Sequence, residues 1–427
     1  MLIEFSVENF RSIRFRQTLS MVAASRLKKK ENAIAAPVTG ERFPALLKAV
    51  AIYGPNASGK SSVFKAMELL KWMVLAKPSA EDRRLPASSF RFDPELRDEP
   101  SRFEVHFVEA GVRYAFEMAL SAERIHEERL SIYVKGVEHE LYARKYLAGH
   151  DTYTFGEMLE GGSALHEAWR QLTGPQVLFL SQAVANSNEE INQLRKPFMW
   201  LSDDLMFESH GMRDSARYTQ RLIADSPSFG QEVADLLSDV DVPVSAIRST
   251  LQEETKLGLE HAEKNRANEP NGNLRALYSK SQIKTTLTHR STLGEADFDL
   301  SEESDGTQNL LGFALPWFIF RQDGKDARTK VLFVDELDSS LHPKLVEALV
   351  ERHLKSDLKC QLIFTTHDTH LMDTKLLRRD QIWFTERDET GATQLRSVHD
   401  FEGREGEDVE KRYYEGRYRA LPFVRRS

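Results

Sequence analysis

At the N-terminus apolar Ile3, Phe5 and Val7 alternate with polar Glu4, Ser6 and Glu8. This period of two predicts a half-buried strand, and it is not the continuous apolar stretch of a secretion signal. A polar stretch ending in Lys28-Lys29-Lys30 reads as a solvated loop. Ala49-Val50-Ala51-Ile52-Tyr53 is apolar throughout, as a strand buried on both faces must be. Gly54-Pro55-Asn56-Ala57-Ser58-Gly59-Lys60-Ser61 follows at once, and then Val63, Phe64, Ala66, Met67, Leu69, Leu70 and Met73 keep helical spacing. The local order is therefore strand, Gly-rich turn, helix.

Phe103–Phe107 and Tyr114–Met118 alternate on either side of a turn at Gly111, and Leu130–Val134 adds a third run. These predict an antiparallel meander. Val177-Leu178-Phe179-Leu180 predicts one more short strand. From about Asn186 to Ala276 the apolar spacing becomes helical with many charges, ending in the breaker-rich run Asn268–Asn273. This predicts a helical insertion, without the sustained heptads of a long coiled coil. Val331–Val334 and Leu362–Thr365 then return as short apolar strands separated by a helix-length segment, the spacing of parallel strands joined by crossovers. The expected layout is an α/β lobe over 1–185, a helical insertion over 186–285 and a second α/β lobe over 286–427.

With 427 residues the chain has room for two to three ordinary domains. At 41% hydrophobic and 29% charged it is not a disordered protein. The longest apolar run, Leu310–Phe320, contains a Pro and has eleven residues; a spanning helix needs about 20. One cysteine, Cys360, excludes an internal disulfide and a Cys-cluster zinc site, and a cytoplasmic protein is expected. The net charge of −8, from 66 acidic and 58 basic residues, excludes a uniformly basic nucleic-acid coat.

Gly54–Ser61 fits G-x-x-x-x-G-K-[ST]. Its glycines let backbone amides turn inward around phosphates at a helix N-terminus, Lys60 adds a cation, and Ser61 offers a hydroxyl to Mg²⁺. Gly54, Asn56, Ala57, Ser58, Gly59, Lys60, Ser61 and Ser62 are the candidate nucleotide ligands. Asp335-Glu336 stands directly after the Val331–Val334 strand, where an α/β sheet carries its ligands. An acidic turn alone is ordinary; beside a phosphate loop, Asp335 reads as the magnesium carboxylate and Glu336 as the base for an attacking water. His367 closes the next strand in the same way. Its neighbours His370, Asp368 and Asp373 leave a metal site as an alternative, and a capping histidine as another. Ser304-Asp305-Gly306-Thr307-Gln308 has the form of a generic helix start.

Together these pieces resemble the ATPase heads of the ABC, SMC and RecF class. Glu8-Asn9-Phe10-Arg11-Ser12 is similar to the opening of that class, Gly54–Ser61 to its Walker A and Val331–Glu336 to its Walker B. Asp338-Ser339-Ser340-Leu341-His342-Pro343 is similar to its D-loop and Thr365-Thr366-His367 to its H-switch. Gln182, after the strand predicted to end at Leu180, is placed like a Q-loop glutamine, which in this class also faces the metal. The resemblance implies an α/β P-loop ABC-type ATPase head with a mixed, largely parallel core sheet, an antiparallel meander and a helical insertion. It also implies ATP and Mg²⁺, and a homodimer or higher homo-oligomer in which Ser304 and Gly306 of one copy cap the ATP of another. Asp305 departs from the common Ser-Gly-Gly-x-Gln signature and brings a negative charge to that contact.

The chain further resembles the stand-alone bacterial ATPases related to the overcoming-lysogenization-defect proteins, of RloA type. Leu377–Phe384 and Tyr413–Tyr418 are similar to the ending of that subgroup. This implies a switch in anti-phage defence beside a separately encoded effector or nuclease. The stretch after His367 is shorter than the ~100 residues a Toprim nuclease core needs. Lys411–Ser427 interleaves arginines with aromatics, which either bind single-stranded nucleic acid or pack on the core, the latter being favoured. Rival readings are a GTPase, for which no Asn-Lys-x-Asp string occurs, a RecF-like DNA-repair clamp, and a scaffold that holds ATP without hydrolysis.

Overall fold

The computed structural model describes residues 1–77, 84–188, 190–209, 212–240, 242–251, 283–320, 329–356, 360–372, 375–404 and 406–421. The chain divides into two compact units, one of Met1–Phe207, Arg328–Asp335 and His353–Ser427, the other of Glu208–Ala327 and Glu336–Arg352.

In the first unit the alternating N-terminus forms β1 (Leu2–Glu8), antiparallel to β2 (Gln17–Ser20). β3 (Ala33–Ile34) and β4 (Leu46–Leu47) make a minimal ladder, and β5 (Ala49–Tyr53) is buried at all five residues. The helix expected after the Gly-rich turn is α1 (Lys60–Leu75). The meander is longer than the sequence predicts. It has five strands, β6 (Ser101–Glu109), β7 (Val112–Leu120), β8 (Ile125–Val134), β9 (Val137–Leu147) and β10 (His150–Phe155). A seven-stranded sheet runs in the order β10-β9-β8-β7-β6-β1-β2. The β9 and β10 runs escape a hydrophobic pattern because β9 opens with exposed Val137 and Glu138 and partly exposed His139 and Glu140, and β10 has no fully buried residue.

α2 (Gly162–Leu172) and α3 (Phe179–Ala185) follow. The Val177–Leu180 stretch is therefore not a strand but the start of a helix. The reason lies fifty residues upstream: the Glu128 carboxylate accepts the Phe179 and Leu180 N–H groups at 2.6 and 2.9 Å and the Tyr142 hydroxyl at 2.8 Å. An acceptor on the exposed amides of a first turn stabilises a helix there. Burial pushes the Glu128 pKa up, and the Arg144 charge opposes it.

After α4 (Arg195–Met199) and a π-helical turn at Trp200–Asp204, β11 (Leu205–Glu208) joins a six-stranded sheet. Its order is β11-β15-β16-β5-β17-β18, built with β15 (Lys330–Val334), β16 (Cys360–Thr365), β17 (Ile382–Arg387) and β18 (Thr393–Ser397). β15, β16, β5 and β17 are parallel, and β18 is antiparallel to β17. One apolar core joins both sheets to α1, whose Met67, Leu70 and Met73 are fully buried; each such side chain is worth roughly 1.5–3 kcal/mol. The short α9 (Val409–Tyr414) closes the unit. Tyr413 and Tyr418 stack on Phe384 at 5.4 and 4.9 Å between ring centroids and are buried, so these aromatics serve the core. Residues 422–427, with Phe423, Arg425 and Arg426, lie outside the described residues.

The second unit holds α5 (Arg213–Asp225), α6 (Pro227–Asp239), the antiparallel sheet β12 (Val244–Leu251), β13 (Ile283–Ser291) and β14 (Gly294–Asp299), and α7 (Asp305–Phe320). The helical insertion expected over 186–285 thus carries α4 to α6 but also β11, β12 and the start of β13. Residues 252–282, with the Asn268–Asn273 run, lie outside the described residues. Most of α8 (Pro343–Lys355) also belongs to this unit. No helix among the described residues is long and apolar enough to cross a membrane. The architecture is α/β, as the sequence predicts: a mixed, mainly parallel sheet ending at the Gly54–Ser61 loop, with an antiparallel meander.

Candidate functional site

The phosphate loop leaves β5 and enters α1 in a conformation that three residues make available. Gly54 has φ +153°, Gly59 φ +108° and Ala57 φ +61°. At Gly59 a Cβ would strike the Thr393 hydroxyl, and at Gly54 it would sit 2.5 Å from the Thr385 carbonyl oxygen. Both glycines are thus required twice, for dihedral angle and for space. Lys60 is buried and its Nζ donates to the Gly54 carbonyl at 2.7 Å and the Pro55 carbonyl at 3.3 Å. The ammonium is folded over the mouth of its own loop.

Three strand ends converge here. β16 lies between β5 and β15, and the β15–β16 register pairs Val334 with Phe364. Asp335 and Thr365 are the next residues along. Thr365 Oγ1 donates to Asp335 Oδ1 at 2.6 Å, and Ser61 Oγ donates to Asp335 Oδ2 at 2.8 Å. Each carboxylate oxygen is therefore held by one hydroxyl, one from the neighbouring strand and one from the phosphate loop. In the sequence Thr365 appears only as the end of a strand and the start of the Thr365-Thr366-His367 motif; the parallel register shows its partner. His367, two residues beyond, is exposed. Asp368 is buried and bonds His370 Nδ1 at 2.9 Å. Among the described residues no three His, Cys, Asp or Glu side chains gather as metal ligands; Asp373 lies outside the described residues.

Ser61 and Asp335 fit a magnesium ion by the chemistry of their donors. A hydroxyl and one carboxylate are hard oxygens, and Mg²⁺ typically takes few protein ligands, completing its shell with water and phosphate oxygens.

Gln182 stands elsewhere. It lies within α3, its N–H bonded to the Leu178 carbonyl. The preceding Ser181 Oγ donates to the Val74 carbonyl near the far end of α1. Val74 is fourteen residues from Lys60, about 21 Å along a helix. The loop-glutamine role expected for Gln182 depended on a strand ending at Leu180, and that strand is a helix.

In the second unit Ser304 caps α7: its Oγ accepts the Thr307 N–H at 3.1 Å. Gly306 faces the D-loop of its own chain, and a Cβ there would lie 2.6 Å from the Ser340 carbonyl oxygen. Asn309 is buried, donates to the Ser339 carbonyl at 2.6 Å and accepts the Met212 N–H at 3.3 Å. The start of α7 and the turn Asp338–Leu341 are therefore one packed element. Glu336 is exposed with φ +58° and Ser340 has φ +59°, left-handed positions that a non-glycine residue holds only when its surroundings impose them. The Ser339 N–H to Glu336 carbonyl bond at 2.9 Å closes that turn.

The protein family described as "AAA domain, putative AbiEii toxin, Type IV TA system" matches residues 49–373. Among solved structures the chain is similar to the SMC head domain from Thermotoga maritima, at 13% identity over 93% of this chain and 98% of that chain, with a TM-score of 0.41. It is also similar to the Smc head domain with an extended coiled coil bound to the C-terminal domain of ScpA, derived from Pyrococcus furiosus, at 11% identity over 97% and 99%, with a TM-score of 0.42. No curated protein matches the chain.

Proposed function

The chain belongs to this AAA domain family, and from that premise we propose that it is a Mg²⁺-dependent ATP-hydrolysing switch. In this reading it is of the OLD-related, RloA type, cytoplasmic, and controls a separately encoded effector in bacterial anti-phage defence. The observation that carries the nucleotide reading is the bond from Ser61 of the phosphate loop to Asp335, whose other oxygen is held by Thr365.

The loop amides of Asn56 to Ser62 receive the phosphates, and Lys60 exchanges the Gly54 carbonyl for a terminal phosphate oxygen. Magnesium, held by Ser61 and Asp335, would neutralise charge on the terminal phosphates. Glu336 takes a proton from water as its oxygen bonds to the γ-phosphorus, and the bond to the bridging oxygen breaks with its electron pair leaving on ADP. His367 donates to the γ-phosphate. Ser304 and Gly306 of a second copy cover the same phosphate, with Asp338 beside them, so ATP joins two copies. Charge-assisted hydrogen bonds of roughly 1.5–3 kcal/mol each make a few such contacts enough to shift an association equilibrium a hundredfold. Hydrolysis removes the bridge and resets the switch.

Glu336→Gln is the test. It is expected to bind ATP, to lose turnover about a hundredfold or more and to double its mass with MgATP in light scattering. Wild-type hydrolysis by this variant would remove Glu336 as the base, and an unchanged mass with ATP bound would remove the shared-nucleotide dimer.

A further inference from the structure

Behind the Gly54–Ser61 loop a line of hydroxyls receives the Ser58 carbonyl and the Ser58 and Ser62 side chains. Thr393 Oγ1, on β18, lies 2.8 Å from both the Ser58 carbonyl oxygen and Ser12 Oγ. Ser12 Oγ lies 2.8 Å from Ser62 Oγ, in the first turn of α1. Ser58 Oγ lies 2.6 Å from Thr385 Oγ1 on β17, which donates to the Tyr53 carbonyl at 3.2 Å. Thr393 Oγ1 is the donor toward both the Ser58 carbonyl and Ser12 Oγ, which share its one proton. Thr393, Thr385 and Ser58 are buried, so water is a poor substitute for any of these partners.

The backbone repeats the connection. The Thr393 N–H donates to the Ser12 carbonyl at 2.7 Å and the Leu395 N–H to Gln17 Oε1 at 2.8 Å. The N-terminal turn and β18, 381 residues apart in the chain, are stitched together behind the loop. Gly59 packs directly on the same two side chains. Thus the left-handed corner that aims the loop amides rests on Ser12 and Thr393.

We propose that Thr393, with Ser12, is a positioning residue of the phosphate loop, setting its affinity for a triphosphate by holding the Ser58 carbonyl turned away from the ligand. The inference rests on the reading of Gly54–Ser61 as an ATP grip. Its mechanism is preorganisation: donors fixed before the ligand arrives cost no reordering when it binds. One buried hydrogen bond, worth about 1 kcal/mol net, corresponds to about a fivefold change in affinity.

The experiment measures binding of MgATP and of magnesium tripolyphosphate, which has no base, by calorimetry. Thr393→Val keeps the shape and removes the hydroxyl. It should weaken both ligands by the same factor, about fivefold or more, and Thr393→Ser should return both to within about twofold of wild type. Thr219→Val, at a buried hydroxyl of the other unit that bonds the Ser215 carbonyl, should leave both unchanged, whatever it does to the melting temperature. Should Thr393→Val not fold, Ser12→Ala removes the other half of the clamp and should also weaken both ligands. The proposal is overturned if Thr393→Val, or Ser12→Ala in its place, binds as wild type does. It is equally overturned if Thr393→Ser is as weak as Thr393→Val, or if the loss affects ATP and spares tripolyphosphate. Failure of wild type to bind either ligand would instead overturn the reading of the loop itself.

Discussion

Replacing Thr365 by Val exchanges a hydroxyl for a methyl of the same shape and so isolates one interaction. In the structure that hydroxyl is the donor to Asp335 Oδ1 at 2.6 Å, while Ser61 serves Oδ2 at 2.8 Å. A hydrogen bond to a charged group contributes roughly 1.5–3 kcal/mol. Asp335 is only half-buried, so water recovers part of this and the lower end applies. About 1.4 kcal/mol is tenfold in an equilibrium constant. The expected outcome is therefore an increase of about tenfold in the magnesium concentration that half-saturates ATP turnover, measured at saturating ATP, with Thr365→Ser close to wild type. An unchanged magnesium dependence in the Val variant would refute the idea that β16 orients the carboxylate. So would a Ser variant as impaired as Val, since the hydroxyl would then not be the active part.

Other consequences can be measured as directly. Lys60→Met should abolish MgATP binding in calorimetry, because in the proposed function the buried ammonium that now bonds the Gly54 carbonyl would meet the phosphates; binding near wild-type strength would contradict the role. Gly306→Ala should destabilise the fold by about 1–3 kcal/mol in urea unfolding, since the added methyl meets the Ser340 carbonyl, which as backbone cannot swing away. Burial lowers the His353 pKa to about 4. The folded chain therefore leaves this ring neutral where the unfolded chain protonates it, below about 6.5. Between those values the unfolded state binds more protons, so stability falls as pH drops through this window, by up to about 3 kcal/mol from this group. His353→Gln should flatten that part of the urea midpoint against pH, and an identical slope in both proteins would contradict it.

The C-terminal residues that carry a family resemblance owe their character to the fold. Arg378 and Asp380 are buried as a pair at 2.7 Å, and Asp380 accepts the Ala24 N–H at 2.8 Å. Gln381 donates to the Ala49 carbonyl and accepts from Asn32. Four consecutive polar residues, Arg378 to Gln381, are thus buried because each meets partners: Arg378, Asp380 and Gln381 reach the N-terminal segment, and Arg379 donates to the Val398, Phe401 and Arg404 carbonyls. Nothing in a one-dimensional pattern marks polar residues as interior.

What the chain determines locally could be read from it. The alternation of residues 3 to 8, the fully apolar β5, the glycines of the phosphate loop and the stripe of α1 each answer to a period or a dihedral requirement within a few residues. Asp335 directly follows β15, and His367 stands two residues beyond β16. Long-range partners decided the remainder. Glu128 makes a helix of Phe179–Ala185, an apolar run that periodicity leaves ambiguous, and so carries Gln182 away from the phosphate loop. Parallel register gives Asp335 its Thr365, and the meeting of residues 12 and 393 braces the loop from behind. Hydrogen bonds between residues hundreds of positions apart have no signature in spacing, because their geometry exists only after the sheets have formed.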